Sequence, residues 1–174
     1  MDFDGNFRDL PPVDVTKLVG LLPTLEDPIW ETNTRHQQFP THMQTRTIVV
    51  NDFPLTWDGT GFPSKKVLYG LTADATMEIA NTLAAAQNKR LGRVLLIRLI
   101  PNSNITPHAD GGLYLNKVKR IHIPLVTDPL VIFTVNGEAR HLPVGSCTEI
   151  NNLRVHSVNN NSTIHRIHLL IDLL

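Results

Sequence analysis

The chain has 174 residues, and its 16 basic and 16 acidic side chains leave no formal net charge. This length suits one domain with a substantial core, which we predict over residues 1–174, and the balanced charge gives no indication of a nucleic-acid partner. No apolar run is long enough to cross a membrane, and the N-terminus lacks the apolar core of a signal peptide. The single cysteine, Cys147, cannot form an internal disulfide, so we expect a cytoplasmic protein of undetermined oligomeric state.

Residues 1–92 are predicted to form a mixed region of helix, strand and loop that supports the rest of the chain. The predicted elements are a short helix over Asp14–Leu22, a strand over Gln44–Val50, a loop over Asn51–Ser64 and a helix over Thr72–Arg90. Residues 28–40 show no clear period, so no element is predicted there.

The helix over Thr72–Arg90 has the strongest periodic pattern in the chain. Apolar residues recur at i, i+4 spacing at Leu71, Ala75, Ile79 and Leu83. We expect Thr72 or Asp74 to cap its start and Gly92 to end it.

Residues 93–174 are predicted to form a metal-binding β core. The predicted strands are Arg93–Ile100, Val118–Val126, Leu130–Val135, Glu138–Leu142, Ser146–Ile150, Leu153–Val158 and Ile164–Leu173. Asn136-Gly137 is a hairpin signal, because a type I′ turn needs positive φ at both central residues. Short strands at near-regular spacing favour a sandwich or a barrel.

His108-Ala109-Asp110, His156 and Arg166 form the most informative set of residues in this region. Two imidazoles and one carboxylate on strands are the ligands of a mononuclear non-haem Fe(II) site, which leaves other positions on the metal open. His108 and Asp110 are two residues apart, so both side chains point the same way from an extended segment. The planar, permanently charged fork of Arg166 suits an anionic cosubstrate.

A surface turn over Pro107–Gly112 is the alternative interpretation of the His-x-Asp pair. Pro, Asp and Gly are common turn residues, and eight histidines in the chain make chance pairs common. The pair alone favours the turn. The metal site is therefore a prediction from the whole set of residues and their placement on strands.

Two later strands alternate basic and apolar residues. Arg120 and His122 share one face of the first strand, and the opposite face is apolar. Arg166 and His168 share one face of the last strand in the same way. If the apolar faces pack against another layer, the polar faces line a cavity with two arginines for two carboxylates. The alternative is an ordinary solvated face, which is common in half-exposed antiparallel strands.

Five sequence blocks stand in a characteristic order. They are His108-Ala-Asp110-Gly-Gly, Arg120-Ile-His-Ile-Pro-Leu, Ile150-Asn-Asn, His156-Ser-Val-Asn-Asn and Arg166-Ile-His-Leu-Leu-Ile-Asp172. Their order and spacing resemble the aspartyl/asparaginyl β-hydroxylase family of Fe(II)- and 2-oxoglutarate-dependent dioxygenases. The resemblance implies a mainly β fold with a few helices: a double-stranded β-helix (cupin-like jelly roll) core with N-terminal helical and loop elements. The presence of Asp110 resembles the branch that acts on free amino acids such as proline.

The same resemblance implies roles for individual residues. The metal ligands would be His108, Asp110 and His156, and the residues on the cosubstrate side would be Arg166, Arg120 and His122. Arg166 would hold the distal carboxylate of 2-oxoglutarate. The implied reaction uses O₂ and Fe(II) to hydroxylate a C–H bond of an amino acid or a peptidyl residue, with release of succinate and CO₂.

Substrate contacts are less well defined by the sequence. The candidates are Arg98, Trp57 and His168, and residues 28–64 with the loop Gly111–Lys117 are expected to wall the cavity. We expect a free amino acid or short peptide whose carboxylate is held by Arg120 or Arg98. No direct role is expected for His36, His42, His141 or His165.

Two other functions remain open at this point. A non-catalytic cupin-like protein could bind a small molecule in the same polar cavity, and a hydrolase or isomerase cupin could use zinc or manganese. The carboxylate beside His108 and the arginine ten residues after His156 favour the oxygenase.

Overall fold

Two antiparallel sheets form the framework of residues 3–174, which are the residues described by the computed structural model. The larger sheet contains, in spatial order, β1 (Phe7–Leu10), β9 (Cys147–Ile150), β6 (Lys119–Val126), β11 (Arg166–Leu173), β4 (Leu91–Leu99), β2 (Thr45–Asp52) and β3 (Lys65–Lys66). The smaller sheet contains β5 (Ser103–His108), β10 (His156–Asn160), β7 (Val131–Val135) and β8 (Glu138–Arg140). The predicted fold class, a double-stranded β-helix core with few helices, is confirmed.

Short helices and one long helix complete the fold. They are α1 (Thr16–Leu21), α2 (Asp27–Trp30), α3 (Arg35–Gln38) and α4 (Leu71–Ala86), with 3₁₀ turns at Leu22–Thr24 and Pro40–His42. No helix within residues 3–174 is long and apolar enough to cross a bilayer. Four-residue helices such as α2 and α3 are shorter than the window in which a helical period can be recognised, so residues 28–40 gave no prediction.

The larger sheet buries a different core on each face. On the outer face, Leu96 and Leu169 pack with Leu18 of α1 and Ala80 of α4. On the inner face, residues of the larger sheet pack against the smaller sheet; this second cluster includes Leu99, Ile150, Ile105, Phe133 and Val158. Because side chains alternate along a strand, the polar residues of β6 and β11 face the space between the two sheets.

The ends of α4 differ from the prediction. The N-cap residue is Gly70, at φ 100°, and neither Thr72 nor Asp74 caps the helix. At the other end the chain turns at Asn88, which adopts positive φ of 48° and is followed by a backbone bond from Lys89 to the Ala84 carbonyl. Asn tolerates this left-handed conformation, so Asn88 rather than Gly92 makes the turn that follows the helix.

Gly92 lies inside β4, where space is the constraint. A Cβ atom at this position would overlap the Tyr114 hydroxyl and would lie 3.0 Å from the Asp172 carbonyl oxygen. The Tyr114 hydroxyl accepts a bond from the Arg93 backbone N–H at 2.8 Å, so the ring is held in place. Glycine in a strand interior often marks such a close approach.

The predicted strands of the β core all form, with shifts of a few residues at their ends. The hairpin at Asn136-Gly137 is confirmed: φ is 48° and 82° at the two residues, and Val135 pairs with Glu138. The strand predicted over Leu153–Val158 begins only at His156 and runs to Asn160. This placement puts His156 at the end of β10 that lies beside the end of β5.

Candidate metal centre

The two candidate metal-binding histidines lie on neighbouring strands of the smaller sheet. His108 ends β5, His156 begins β10, and the antiparallel register pairs them directly. Asp110 follows two residues after β5, and its backbone N–H donates to the Asn152 carbonyl at 2.8 Å. Ligand atoms of His108, Asp110 and His156 all lie within 4.8 Å of one another. The fold therefore brings these three side chains to one point.

Both histidine rings are held in the orientation that a metal ligand needs. Nδ1 of His108 donates to the Thr106 carbonyl at 2.8 Å. Nδ1 of His156 donates to the Arg154 carbonyl at 2.9 Å. A carbonyl can only accept, so each neutral ring carries its proton on Nδ1 and leaves the Nε2 lone pair free. With Nε2 of His108 at 3.9 Å from Oδ1 of Asp110, the donor set fits a divalent ion such as Fe(II).

Arg120 holds Asp110 in its ionised form. Its Nη1 donates to Oδ2 of Asp110, while Nε and Nη2 donate to the two carboxylate oxygens of Asp172 at 2.9 Å each. Burial acts to raise the pKa of Asp110, but the positive charge of Arg120, with a smaller contribution from Arg35, outweighs it and lowers the pKa. Arg120 lines the inner part of the site, as expected, and its guanidinium is already bound by two carboxylates of the chain.

Arg166 is a buried cation without a counter-ion. It is 2% exposed, and no carboxylate within residues 3–174 forms an ion pair with it. Nη2 donates to Nδ1 of His168 at 2.6 Å, and Nε has no partner. Burial lowers the pKa of Arg166 to about 9. A desolvated guanidinium without a counter-ion is unfavourable, and an anion bound beside it would relieve that cost.

His122 and His168 surround Arg166 on the inner face of the larger sheet. Burial, followed by the charge of Arg166, lowers the pKa of both rings, so both are neutral. Neither ring nitrogen of His122 has a partner, nor does Nε2 of His168. All three side chains are buried, so the alternative of a solvated polar face is wrong.

A narrow inner pocket and a wider outer cleft meet at the candidate metal ligands. The inner pocket lies between the two sheets and has a volume of about 40 Å³, with Arg166 and Phe133 among its lining residues. The outer cleft has a volume of about 420 Å³. His108 and Asp110 line both, so a molecule in the cleft and one in the pocket would both lie against the metal ligands.

Of the three candidate substrate contacts, Arg98 and Trp57 lie away from the pocket and the cleft. Arg98 alternates with Ile97, which faces inward, so it points outward and pairs with Asp27 at 2.8 Å. Trp57 donates from Nε1 to the Thr60 carbonyl at 2.8 Å in its own loop. His168 lines neither the pocket nor the cleft and accepts a hydrogen bond from Arg166.

Sequence reasoning missed Arg35 and His42, which line both the pocket and the cleft. Arg35 lies in α3, and its Nη2 donates to Nε2 of His42 at 2.8 Å. The His42 ring stands edge-on to the His108 ring, with centroids 5.4 Å apart. No sequence signal could have found them, because the pair lies in a stretch without periodicity and reaches the metal ligands only through the tertiary fold.

The sequence matches the family model for Aspartyl/Asparaginyl beta-hydroxylase over residues 31–174. The chain belongs to the aspartyl/asparaginyl β-hydroxylase family. This match confirms the resemblance drawn from the five sequence blocks and, with it, the prediction that the protein is a hydroxylase. A search of curated proteins found no match.

Solved structures resemble the fold of this family member along nearly its whole length. A 2OG-Fe(II) oxygenase family oxidoreductase from Burkholderia pseudomallei is 12% identical with a TM-score of 0.63, covering 97% of this chain and 84% of its own. The viral collagen prolyl hydroxylase vCPH of Paramecium Bursaria Chlorella virus-1, solved with 2OG, is 7% identical with a TM-score of 0.61, covering 98% and 96%. AviO1 from Streptomyces viridochromogenes Tue57 is 14% identical with a TM-score of 0.56, covering 97% and 89%. At these identities the likeness concerns the fold alone.

Proposed function

We propose that this hydroxylase is Fe(II)- and 2-oxoglutarate-dependent and acts on a C–H bond of an amino acid or a peptidyl residue, with residues 1–174 working as one domain. Substrate, 2-oxoglutarate and O₂ would give hydroxylated substrate, succinate and CO₂. One observation carries the proposal: a His-Asp-His donor set lies next to a buried arginine that has no counter-ion. The two solved relatives described as a 2OG-Fe(II) oxygenase family protein and a 2OG complex support it.

His108, Asp110 and His156 would hold the metal. Fe(II) bound there would supply the activation of O₂ that is coupled to decarboxylation of 2-oxoglutarate. The chain contributes the geometry: the two Nδ1–H donors fix the rings, and Arg120 keeps Asp110 as an anion. A His₂-carboxylate set with open positions is the arrangement used by non-haem Fe(II) oxygenases.

Arg166 would bind the distal carboxylate of 2-oxoglutarate. Its bond to Nδ1 of His168 sets the direction of the guanidinium, because a guanidinium only donates and the neutral ring accepts. The two unpartnered nitrogens of His122 offer a further donor or acceptor to the same ligand. The inner pocket is narrow, so the carboxylate end is the part of the cosubstrate that it can take.

Apolar side chains around the inner pocket would limit the access of water. Ile97 and Leu170 come from the larger sheet, and Ile105, Phe133 and Val158 come from the smaller sheet. Exclusion of water strengthens the interaction of Arg166 with an anion and protects the reaction from side reactions.

The test is succinate formation by the purified protein with Fe(II), ascorbate, 2-oxoglutarate and a panel of amino acids and peptides. We expect 2-oxoglutarate turnover that one class of substrate stimulates, and none in Asp110→Ala. His165→Ala changes an exposed histidine and should behave as the wild type. If the wild type forms no more succinate than Asp110→Ala under every condition, the proposed function is wrong.

A further inference from the structure

A second cation without a counter-ion lies at the mouth of the metal centre. We propose that Arg35 binds a free carboxylate of the substrate, and that the cleft has no site for a substrate ammonium group. The substrate class is then a carboxylate whose amine is acylated or absent, such as a peptide C-terminus or an N-acyl amino acid. This inference rests on the proposed function and adds the substrate class.

The position of Arg35 places its guanidinium next to the reacting centre. It lines both the inner pocket and the outer cleft, and it donates to Nε2 of His42 at 2.8 Å. His42 in turn stands against His108, so a single side chain separates Arg35 from a candidate metal ligand. Since Nε2 of His42 accepts this bond, the ring is neutral and does not offset the positive charge.

The balance of charge in the cleft leaves Arg35 unpaired. Within residues 3–174 no carboxylate forms an ion pair with Arg35, whereas Arg120 has Asp172 and Asp110. Burial, followed by repulsion from Arg120 and Arg93, outweighs attraction from Asp110 and Asp172 and lowers the pKa of Arg35 to about 10. A guanidinium in this situation gains most from a bidentate carboxylate.

The described residues around the cleft offer no free carboxylate to an ammonium group. Asp110 is the single acidic residue among the described residues that line the cleft, and it is engaged by Arg120. Apart from the arginines, the rest of the lining is uncharged: apolar side chains such as Phe39, Leu55 and Leu115, and amides and hydroxyls such as Gln38 and Thr41. A substrate with an anionic end and a neutral body complements this surface better than a zwitterion does.

Arg35 and Arg166 are separate anchors. Arg166 lines the inner pocket but not the cleft, whereas Arg35 lines both. Two carboxylates can therefore bind together, the cosubstrate's at Arg166 and the substrate's at Arg35. Loss of Arg35 should affect the substrate rather than 2-oxoglutarate.

The experiment uses the proteinogenic amino acids in four forms: free, N-acetylated, C-amidated, and both acetylated and amidated. Succinate formation gives KM for each form and for 2-oxoglutarate in the wild type and in Arg35→Gln. Arg46→Gln is the matched control, because Arg46 lies on β2 nearby and pairs with Glu31 outside the cleft.

In the wild type we expect N-acetylated acids to have a KM equal to or lower than that of the free amino acids. Amidation should raise KM roughly ten- to a hundredfold, the size expected for loss of a charge-assisted hydrogen bond. In Arg35→Gln the KM for the carboxylates should rise by the same factor. The KM for the amides and for 2-oxoglutarate should stay within about twofold of the wild-type values, because neither depends on Arg35. General damage to the fold would instead raise all the KM values.

Three outcomes would overturn the proposal. If the wild type turns over amides as well as acids, no substrate carboxylate is bound. If free amino acids have a clearly lower KM than N-acetylated acids, the cleft does bind an ammonium group. An Arg35→Gln variant that loses affinity for 2-oxoglutarate instead would make Arg35 a cosubstrate ligand. A wild type that consumes no 2-oxoglutarate would instead refute the proposed function itself.

Discussion

His108, Asp110 and His156 are the residues on which the function depends. Calorimetric titration of Mn(II) into the purified protein should show one site in the wild type. His108→Ala, His156→Ala and Asp110→Ala should each weaken it by at least about tenfold, since even loss of a hydrogen-bond partner to a metal ligand typically has this effect. His165→Ala removes an exposed histidine and should leave the affinity unchanged. Unaltered affinity in both histidine variants would rule out this metal site.

Arg166 permits a test in which charge is kept but geometry is lost. Arg166→Lys retains the cation but not the planar fork that matches a carboxylate. The KM for 2-oxoglutarate should rise roughly ten- to a hundredfold, with Mn(II) affinity unchanged. An unchanged KM would mean that another residue holds the cosubstrate.

Buried neutral histidines should make stability fall in mild acid. Burial, with help from Arg166, lowers the pKa of His168 in the folded state. Below an unfolded-state pKa of about 6.5, the unfolded chain binds a proton that the folded chain does not, so stability is lost as pH falls. His168→Asn keeps an acceptor for Arg166 and removes the titrating ring. The free energy of unfolding, measured with urea, should fall less steeply between pH 6 and pH 5 in this variant than in the wild type. The difference should be up to about 1.4 kcal/mol per pH unit. A slope equal to that of the wild type would contradict this account.

The sequence predicted most of these residues but not all of their partners. The His-x-Asp spacing on an extended segment places two ligands on one side, and strand alternation places Arg120 and Arg166 on one face. The pairing of Arg120 with Asp172 was not predicted, because Asp172 lies opposite it on β11. The register between two strands is a property of the assembled sheet that the sequence of either strand does not contain.

The packing of β4 depends on the absence of a side chain at Gly92. Gly92→Ala would force a Cβ atom against the Tyr114 hydroxyl and the Asp172 carbonyl, both of which are held in place. We expect destabilisation of about 1–3 kcal/mol in urea unfolding, as for other overpacked cores. Gly20→Ala is the matched control, because no atom lies within 4 Å of its Cβ position in α1. It should leave stability unchanged or raise it by up to about 1 kcal/mol. Equal effects of the two substitutions would show that the space at Gly92 is not limiting.

Elements with strong patterns were predictable, and their exact ends were not. The repeat of apolar residues predicted α4, and Asn136-Gly137 predicted the β7–β8 hairpin. Both signals are local in the sequence. The end of α4 at Ala86, followed by the turn at Asn88, was missed because a nearby glycine offered the stronger local signal. That glycine was needed in β4 for a contact with a residue more than twenty positions away, which only the tertiary structure shows.

The two sheets enclose an inner pocket, and residues from the N-terminal half line its mouth. The smaller sheet brings two histidines, the larger sheet brings Arg120 and Arg166, and residues 33–42 add Arg35 and His42. The general prediction that residues 28–64 wall the cavity agrees with this arrangement, but the particular side chains could not be named. Helices of four residues carry no recognisable period, and their packing decides which side chains face inward.

The metal ligands and Arg166 together form one proposed site for 2-oxoglutarate. The most direct measurement is a calorimetric titration of 2-oxoglutarate into the protein with and without Mn(II), for the wild type, His156→Ala and Arg166→Lys. We predict tight binding only in the metal-loaded wild type, with affinity weaker by at least about tenfold in both variants and in the metal-free protein. Equal binding of 2-oxoglutarate to the metal-free wild type, or to metal-treated His156→Ala, would contradict the claim.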